Sequence, residues 1–445
     1  MLDIFRIADG AEMTDEKLLS YIKQNDAKTN ARYDVLWNAY NNDYPIYKQR
    51  AKPSWKPDNR LSVNLARYIV DTFVGFAYGI PVKVQSDDEA TQDFITALNA
   101  ATDEEDVLTE LATATAIFGR AYRIAYVDES GEIGTAFLDP RESVMIYSEG
   151  ITPRPRYFVR TFIDSEKVRR GSISDEYCVK YFHITGGKVA WDDAYLHGFG
   201  CVPAVESVMN RGRRGIFEDV LPLINSYNKV LSEKSDDVEY FSDSYMKVLG
   251  AAVDEQTIRF MRENRVINLA GKAGADVVVD FLQRPSADGT QENLLDRLER
   301  NIFTVAMVCN ISDDNFATSS GIALRYKLLP MVNLASSAWR KMAHSLDEYY
   351  RIVCASPVTP VPEDAWQSLT YIHALNYPAN IADEASTAAT LSGIVSKRTQ
   401  LATLSIVDNV DAEIEQIEAE AEAEADYLTP YATKRTEGEQ EDEED

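Results

Sequence analysis

Cysteine is scarce in this sequence: four in 445 residues, at 178, 201, 309 and 354, with neither CxxC spacing nor close pairing. That excludes a disulfide framework and fits thiols kept reduced in a cytosolic setting. Histidine is as rare, at 183, 197, 344 and 373, with no HExxH and no acidic partner evident nearby. Metal-centred or histidine-based catalysis therefore has no motif to rest on, and no cofactor is expected. No GxxxxGK[ST] occurs, which excludes a motor of the P-loop type. Gly198-Phe-Gly-Cys-Val-Pro203 lacks the third glycine and the following helix of a dinucleotide site, and reads as a turn. No apolar run is long enough for a bilayer, because Arg67 and Asp71 interrupt the best stretch, Leu65 to Val84. The start, Met-Leu-Asp-Ile-Phe-Arg, has neither the basic residues nor the apolar block of a signal peptide. Positive charge is also short: 45 Lys and Arg against 72 Asp and Glu, a net of −27. Tight sequence-independent DNA binding depends on cations at phosphates, so this chain is a poor candidate for it. A protein that surrounds DNA without gripping it remains compatible.

What is present is a globular composition, 45% hydrophobic and 26% charged, with length for two or three domains. Between Asp411 and Asp445 fifteen acids face only Lys434 and Arg435, so about half of the charge imbalance sits in a short tail. The most informative stretch runs from Asn310 to Gly321, a polar, flexible dozen residues between two strong helix signals. Upstream, Leu294, Leu298, Ile302, Val305 and Cys309 recur at helical steps. Downstream, Leu328, Val332, Ala335, Trp339, Met342, Leu346, Tyr349 and Val353 do the same. That second helix, Ile322 to Cys354, would span roughly 50 Å if straight; Pro330 inside it predicts a kink.

Elsewhere the pattern predicts helix from Glu16 to Tyr40 and a buried helix from Asn64 to Ala77 stopped near Gly79 and Pro81. Short strands follow: Arg120 to Val127, Val144 to Tyr147, Tyr157 to Ile163, and a hairpin of Tyr177 to Ile184 with Lys188 to Trp191 turned by Thr185-Gly-Gly187. This is an α+β arrangement with an antiparallel sheet. From Phe217 about thirty helical residues carry Ile224, Tyr227, Leu231, Val238, Phe241 and Tyr245 as the buried stripe. Extended pieces at Arg265 to Leu269 and Val277 to Leu282 precede a helix from Asp288 to Cys309. Leu369 to Leu375 reads as one more strand, and Ala385 to Val395, Lys397 to Leu404 and Asp411 to Ala425 as short helices.

Paired acids at 87–88, 192–193, 236–237 and 313–314 read as solvated loops, since adjacent carboxylates point apart where a metal site needs them to converge. The one basic cluster, Asn210-Arg-Gly-Arg-Arg-Gly215, is open to two readings. Arg211, Arg213 and Arg214 either contact nucleic acid or pair with acidic surface on the same or a neighbouring chain.

Several segments in order resemble the portal proteins (head-to-tail connectors) of siphovirus-type tailed bacteriophages, from about Trp37 to Glu420. They are Asn59-Arg-Leu-Ser-Val-Asn64, Ile69-Val-Asp71, Gly79-Ile-Pro-Val82, Asp139-Pro140, Phe199-Gly-Cys-Val-Pro203, Asn225-Ser-Tyr-Asn228 with Ser232, and Asp237-Val-Glu-Tyr-Phe241. The most specific are Ser312-Asp-Asp-Asn-Phe316 with Ser320-Gly-Ile-Ala-Leu-Arg-Tyr-Lys327; Gly393-Ile-Val-Ser396 adds to them. The resemblance implies a portal fold in a dodecameric ring around a DNA channel. Residues 1–216 and 355–382 would form an α+β wing, 217–250 and 288–310 two stem helices, and 251–287 a small clip. Residues 311–321 would be the tunnel loop, 322–354 a long kinked helix, 383–426 a helical crown and 427–445 an acidic disordered tail. It further implies that Ser312, Asp313, Asp314, Asn315, Phe316, Ala317, Thr318, Ser319 and Ser320 face the DNA. In the clip, Arg265, Asn268, Lys272 and Asp276 would meet the terminase or adaptors. The implied partners are the terminase large subunit, major capsid and scaffolding proteins, head-completion (adaptor) proteins and double-stranded DNA without sequence preference; no membrane is involved. The implied location is the portal vertex of the virion, after synthesis in the host cytoplasm. No enzymatic activity is implied; the competing reading is a DNA-processing enzyme, a nuclease or motor subunit.

Overall fold

The most deeply buried helix, α3 (Leu65–Tyr78), begins where Asn64 accepts the Arg67 amide on its side-chain oxygen at 3.2 Å. Its apolar side chains cover nearly the whole circumference, leaving Arg67 and Asp71 to pair one turn apart on the exposed stripe. These bounds agree with the helix expected from Asn64 to Ala77. The computed structural model describes residues 4–53, 56–242, 246–249, 278–281, 288–311, 321–377, 381–404, 406, 407 and 410–421. It divides the chain into two compact units, 1–318 with 324–376, and 319–323 with 377–445.

In the first unit the expected helix from Glu16 to Tyr40 is three pieces: α1 (Asp15–Lys28) capped by Thr14, a π turn over Thr29–Tyr33, and α2 (Asp34–Tyr40). Two helices without a clear apolar period in the sequence follow α3. α4 (Glu89–Ala101) is capped by Asp88, and α5 (Glu104–Phe118) stops at Gly119 with φ 82°. A six-stranded sheet has the order β1-β5-β6-β7-β8-β9, from β1 (Phe5–Ile7), β5 (Ser143–Ser148), β6 (Pro155–Ile163), β7 (Arg169–Ser174), β8 (Cys178–Thr185) and β9 (Lys188–Leu196). All neighbours are antiparallel except β1 and β5. The β8–β9 turn is Gly186-Gly187, both at positive φ, as the two-glycine signal predicts.

Alternation along this sheet sends Val144, Ile146, Val159, Ile173 and Phe182 to one face, where they meet Leu18 and Ile22 of α1. Met145 and Phe158 point the other way and meet Tyr122, Leu138, Val202 and Ala204. Those belong to or adjoin the antiparallel sheet β10-β3-β4, formed by β3 (Arg120–Val127), β4 (Ile133–Leu138) and β10 (Ala204–Val208). Burial on both faces explains why β5 reads as a continuous apolar run. A two-stranded pair joins β2 (Lys83–Gln85) to β13 (Thr370–Ile372), the strand expected near Leu369 to Leu375.

The long helices then enter. α6 (Leu221–Ser242) has Pro222 in its first turn, where no intrahelical donor is lost. It ends earlier than expected: Met246–Leu249 is a strand, β11, paired antiparallel with β12 (Val278–Phe281), so helix to residue 250 is corrected. α7 (Asp288–Ala306) ends at Met307, whose φ is 59°. It buries Leu295, Ile302, Phe303 and Ala306, whereas Leu294 and Val305, expected inside, are exposed; Val238 of α6 is exposed too. α8 (Gly321–Cys354) runs on through Pro330 and buries Leu328, Ala335, Met342, Leu346, Tyr349 and Val353, with Val332 and Trp339 half-buried, on the expected stripe.

The second unit holds α9 (Ile381–Leu391), α10 (Lys397–Leu401) capped by Ser396, and a helical stretch at 410–421. Gln400 donates to the Ala388 carbonyl at 2.7 Å, and Arg398 pairs with Asp411 at 3.0 Å.

Candidate functional site

The loop residues Ser312 to Ser320 lie outside the described residues, as do Arg265, Asn268, Lys272, Asp276 and the tail. The chain on either side of the loop is held as follows. On its entry side three successive contacts fix the chain after α7. The Cys309 thiol donates to the Lys327 carbonyl of α8 at 3.1 Å, and the Asn310 amide donates to Glu299 at 2.8 Å. The Ile311 N–H donates to the Tyr68 hydroxyl of α3 at 3.0 Å, and the Tyr68 ring stands edge-on to Phe303 of α7. Burial pushes the Cys309 thiol up, so it stays protonated and a donor. On the exit side α8 starts at Gly321. The loop therefore leaves from a base tied at once to α3, α7 and α8.

α6 and α7 pack antiparallel: Lys234 pairs with Glu292, and Gln291 donates to Asp237 at 3.2 Å. A second connection was not legible as such in the sequence. Residues 59–63 run extended beside α6, and every second backbone N–H is taken by a side chain one helical turn further along. Asn59 N–H donates to Asp236 at 2.6 Å, Leu61 N–H to the Ser232 hydroxyl at 2.9 Å, and Val63 N–H to Asn228 at 2.9 Å. Two extended residues advance about 6.6 Å and four helical residues about 6 Å, so the two repeats match. Lys52 pairs with Asp236, and the Asn59 amide donates to Glu239 at 2.7 Å. The signal was the four-residue spacing of Asn228, Ser232 and Asp236, small polar groups inside a helix with an apolar stripe.

The basic loop is described. Arg213 (φ 56°) turns inward and forms a bidentate pair with Glu206 at 2.7 and 2.8 Å. Glu206 also sits 3.4 Å from Arg120 and accepts from the Tyr147 hydroxyl at 2.5 Å. Burial alone would raise the Glu206 carboxyl; the Arg213 hydrogen bonds, Arg120 and Tyr147 outweigh it and hold it below its ordinary value. Arg214 pairs with Asp219 and Glu218. Arg32 clamps the loop from outside, donating to the Arg213 carbonyl at 2.6 Å, the Phe118 carbonyl and Glu218. Gly119 permits this seating: a Cβ there would lie 2.1 Å from the Arg213 carbonyl oxygen. Arg211 is exposed, with no acidic partner among the described residues.

Two readings of paired acids and histidines are corrected. Asp192-Asp193 lies on β9, Asp236-Asp237 lies on α6 with Asp236 buried, and His183 has an acidic partner after all, Asp192 at 3.0 Å across the hairpin. Cross-strand register brings together residues nine apart in sequence. Among the described residues no group of three His, Cys, Asp or Glu could hold a metal ion, and no helix is long and apolar enough to cross a membrane.

Residues 19–427 match the family model described as phage portal protein, SPP1 Gp6-like. No curated protein matches the chain.

Proposed function

The chain belongs to the phage portal proteins, and from that premise we propose that it forms a ring-shaped DNA channel at one capsid vertex. What supports the reading is the anchoring of residues 309–311 to α3 and α8, directly before a polar stretch of sequence, 312–320, that contains no lysine or arginine. A duplex must slide past such a lining in both directions, and side chains without cations offer phosphates nothing to hold. In this proposal the ring is dodecameric, with α6 and α7 as its stem and Ser312 to Ser320 facing DNA. Residues 251–287, including Arg265, Asn268, Lys272 and Asp276, meet the terminase large subunit during packaging and the adaptor proteins afterwards. Residues 383–426 form the crown inside the head, beside capsid and scaffolding proteins. The role is structural: packaging, retention and ejection of the genome, and head-to-tail joining. Negative-stain microscopy with native mass spectrometry of the purified chain tests it. Annular particles with a central hole are expected; a chain that stays monomeric up to high micromolar concentration overturns the proposal.

A further inference from the structure

Two helical faces of the first unit carry opposite, unsatisfied charge. Residues 84–119 hold nine acids and no lysine or arginine. Glu104 is buried against Arg123 and Asp88 caps α4. Asp87, Glu89, Asp93, Glu105, Asp106 and Glu110 are exposed and have no ion pair among the described residues. On α4, Glu89 and Asp93 continue into Ala97 and Ala100 on the same exposed face, so the acidic end adjoins a small-residue end.

α8 is the reverse. From Leu324 to Leu346 it has no acid, and Arg325, Arg340 and Lys341 are exposed without an acidic partner among the described residues. Tyr326 and Leu329, 73% and 48% exposed, lie on that face with the small Ser336. At helical spacing these residues share one side of the helix.

We infer that this face of α8 docks against the α4–α5 face of the neighbouring copy, an assignment that rests on the ring proposed above. These acids and cations do not pair with each other among the described residues, which leaves them available to a neighbouring copy. A contact between two different faces of identical copies is the kind that closes a ring. Copies that each carry −27 also repel, and an interface that sets cations against unpaired acids offsets that where the chains touch. Exposed Tyr and Leu beside Arg form the composition of a protein interface; phosphate contacts draw on polar neighbours.

The test is a charge swap in the full chain, read by native mass spectrometry and microscopy, with circular dichroism of each variant as the folding control. Arg340→Glu with Lys341→Glu is expected to raise the protein concentration needed for rings about tenfold. Adding Glu89→Lys with Asp93→Lys is expected to restore assembly, because every interface then carries the exchanged charges. If the reversal unfolds the chain, Arg340→Gln with Lys341→Gln takes its place, and its rings are expected to respond less to salt than the wild type's. Rings unaffected by the reversal, or a loss that the swap leaves in place, overturn the assignment. So do normal rings that instead lose their hold on DNA, which would make this face a nucleic-acid contact. A wild-type chain that forms no ring overturns the ring itself, and that is read before any variant is made.

Discussion

Glu206 is the carboxylate on which two arginines depend. Its carboxylate holds Arg213 and Arg120 together under the loop 210–215, with Tyr147 as a third donor. Removing one partner of a buried network leaves the others charged and unpaired, which costs about 3–5 kcal/mol. Glu206→Gln is expected to lose stability in that range in urea unfolding followed by circular dichroism. The pH dependence has a definite sign. A carboxyl held below its ordinary value in the folded state binds a proton less readily there than in the unfolded chain. Its stabilisation is complete above the unfolded pKa and is lost as pH falls from there through the folded value. Wild-type stability should therefore drop on the acid side of the carboxylate range, and the drop should shrink in Glu206→Gln. An equal acid loss in both proteins would show that Glu206 is not the group concerned.

At the scale of elements, two connections decide how the long helices are held. The first is the extended segment along α6, where each lost partner leaves a backbone N–H without its acceptor, at about 1–3 kcal/mol. Ser232→Ala is expected to speed amide exchange at Leu61 more than at Arg123 in the distant β3, measured by hydrogen–deuterium exchange. The second is Trp339, which stacks on His373 at 4.1 Å and stands edge-on to Tyr371, fastening β13 to α8. Burial lowers the His373 pKa, against the bond to the Ala77 carbonyl that raises it, so the ring is neutral at pH 7 and its Nε2–H donates. Trp339→Ala should cost about 3 kcal/mol of stability and lower the yield of rings. Rings at normal yield from a chain of unchanged stability would show that the stack carries no weight.

Elements with a strong period were legible: α3, the α8 stripe and the two-glycine hairpin all stand where the sequence places them. α4 and α5 were not, because their alanines and threonines blur the contrast between inner and outer faces. β7, Arg169-Arg-Gly-Ser-Ile-Ser174, is polar enough to pass for a loop until its neighbours supply the sheet. The inward face of α7 was misjudged by one position, Leu294 for Leu295, since two adjacent leucines fit a helical period about equally well. Arg213 was legible as a candidate but not its partner Glu206, which only the turn with positive φ brings to it.

For the whole molecule, the prediction concerns passage of DNA. Asp313→Lys with Asp314→Lys puts cations on the proposed lining and is expected to slow packaging, while rings assemble as before. Unchanged packaging in assembled particles would count against that role for the loop.

The match in pitch between residues 59–63 and α6 has a mechanical consequence. The three amides are spaced like teeth on the side chains at 228, 232 and 236, so a small axial pull on α6 drags the segment along instead of slipping past it. Slippage requires all three bonds to open, and a shift by one turn would set Ile224 or Tyr240 opposite one of the three amides. The segment leads directly into α3, so these three bonds are the path by which a load on α6 would reach α3.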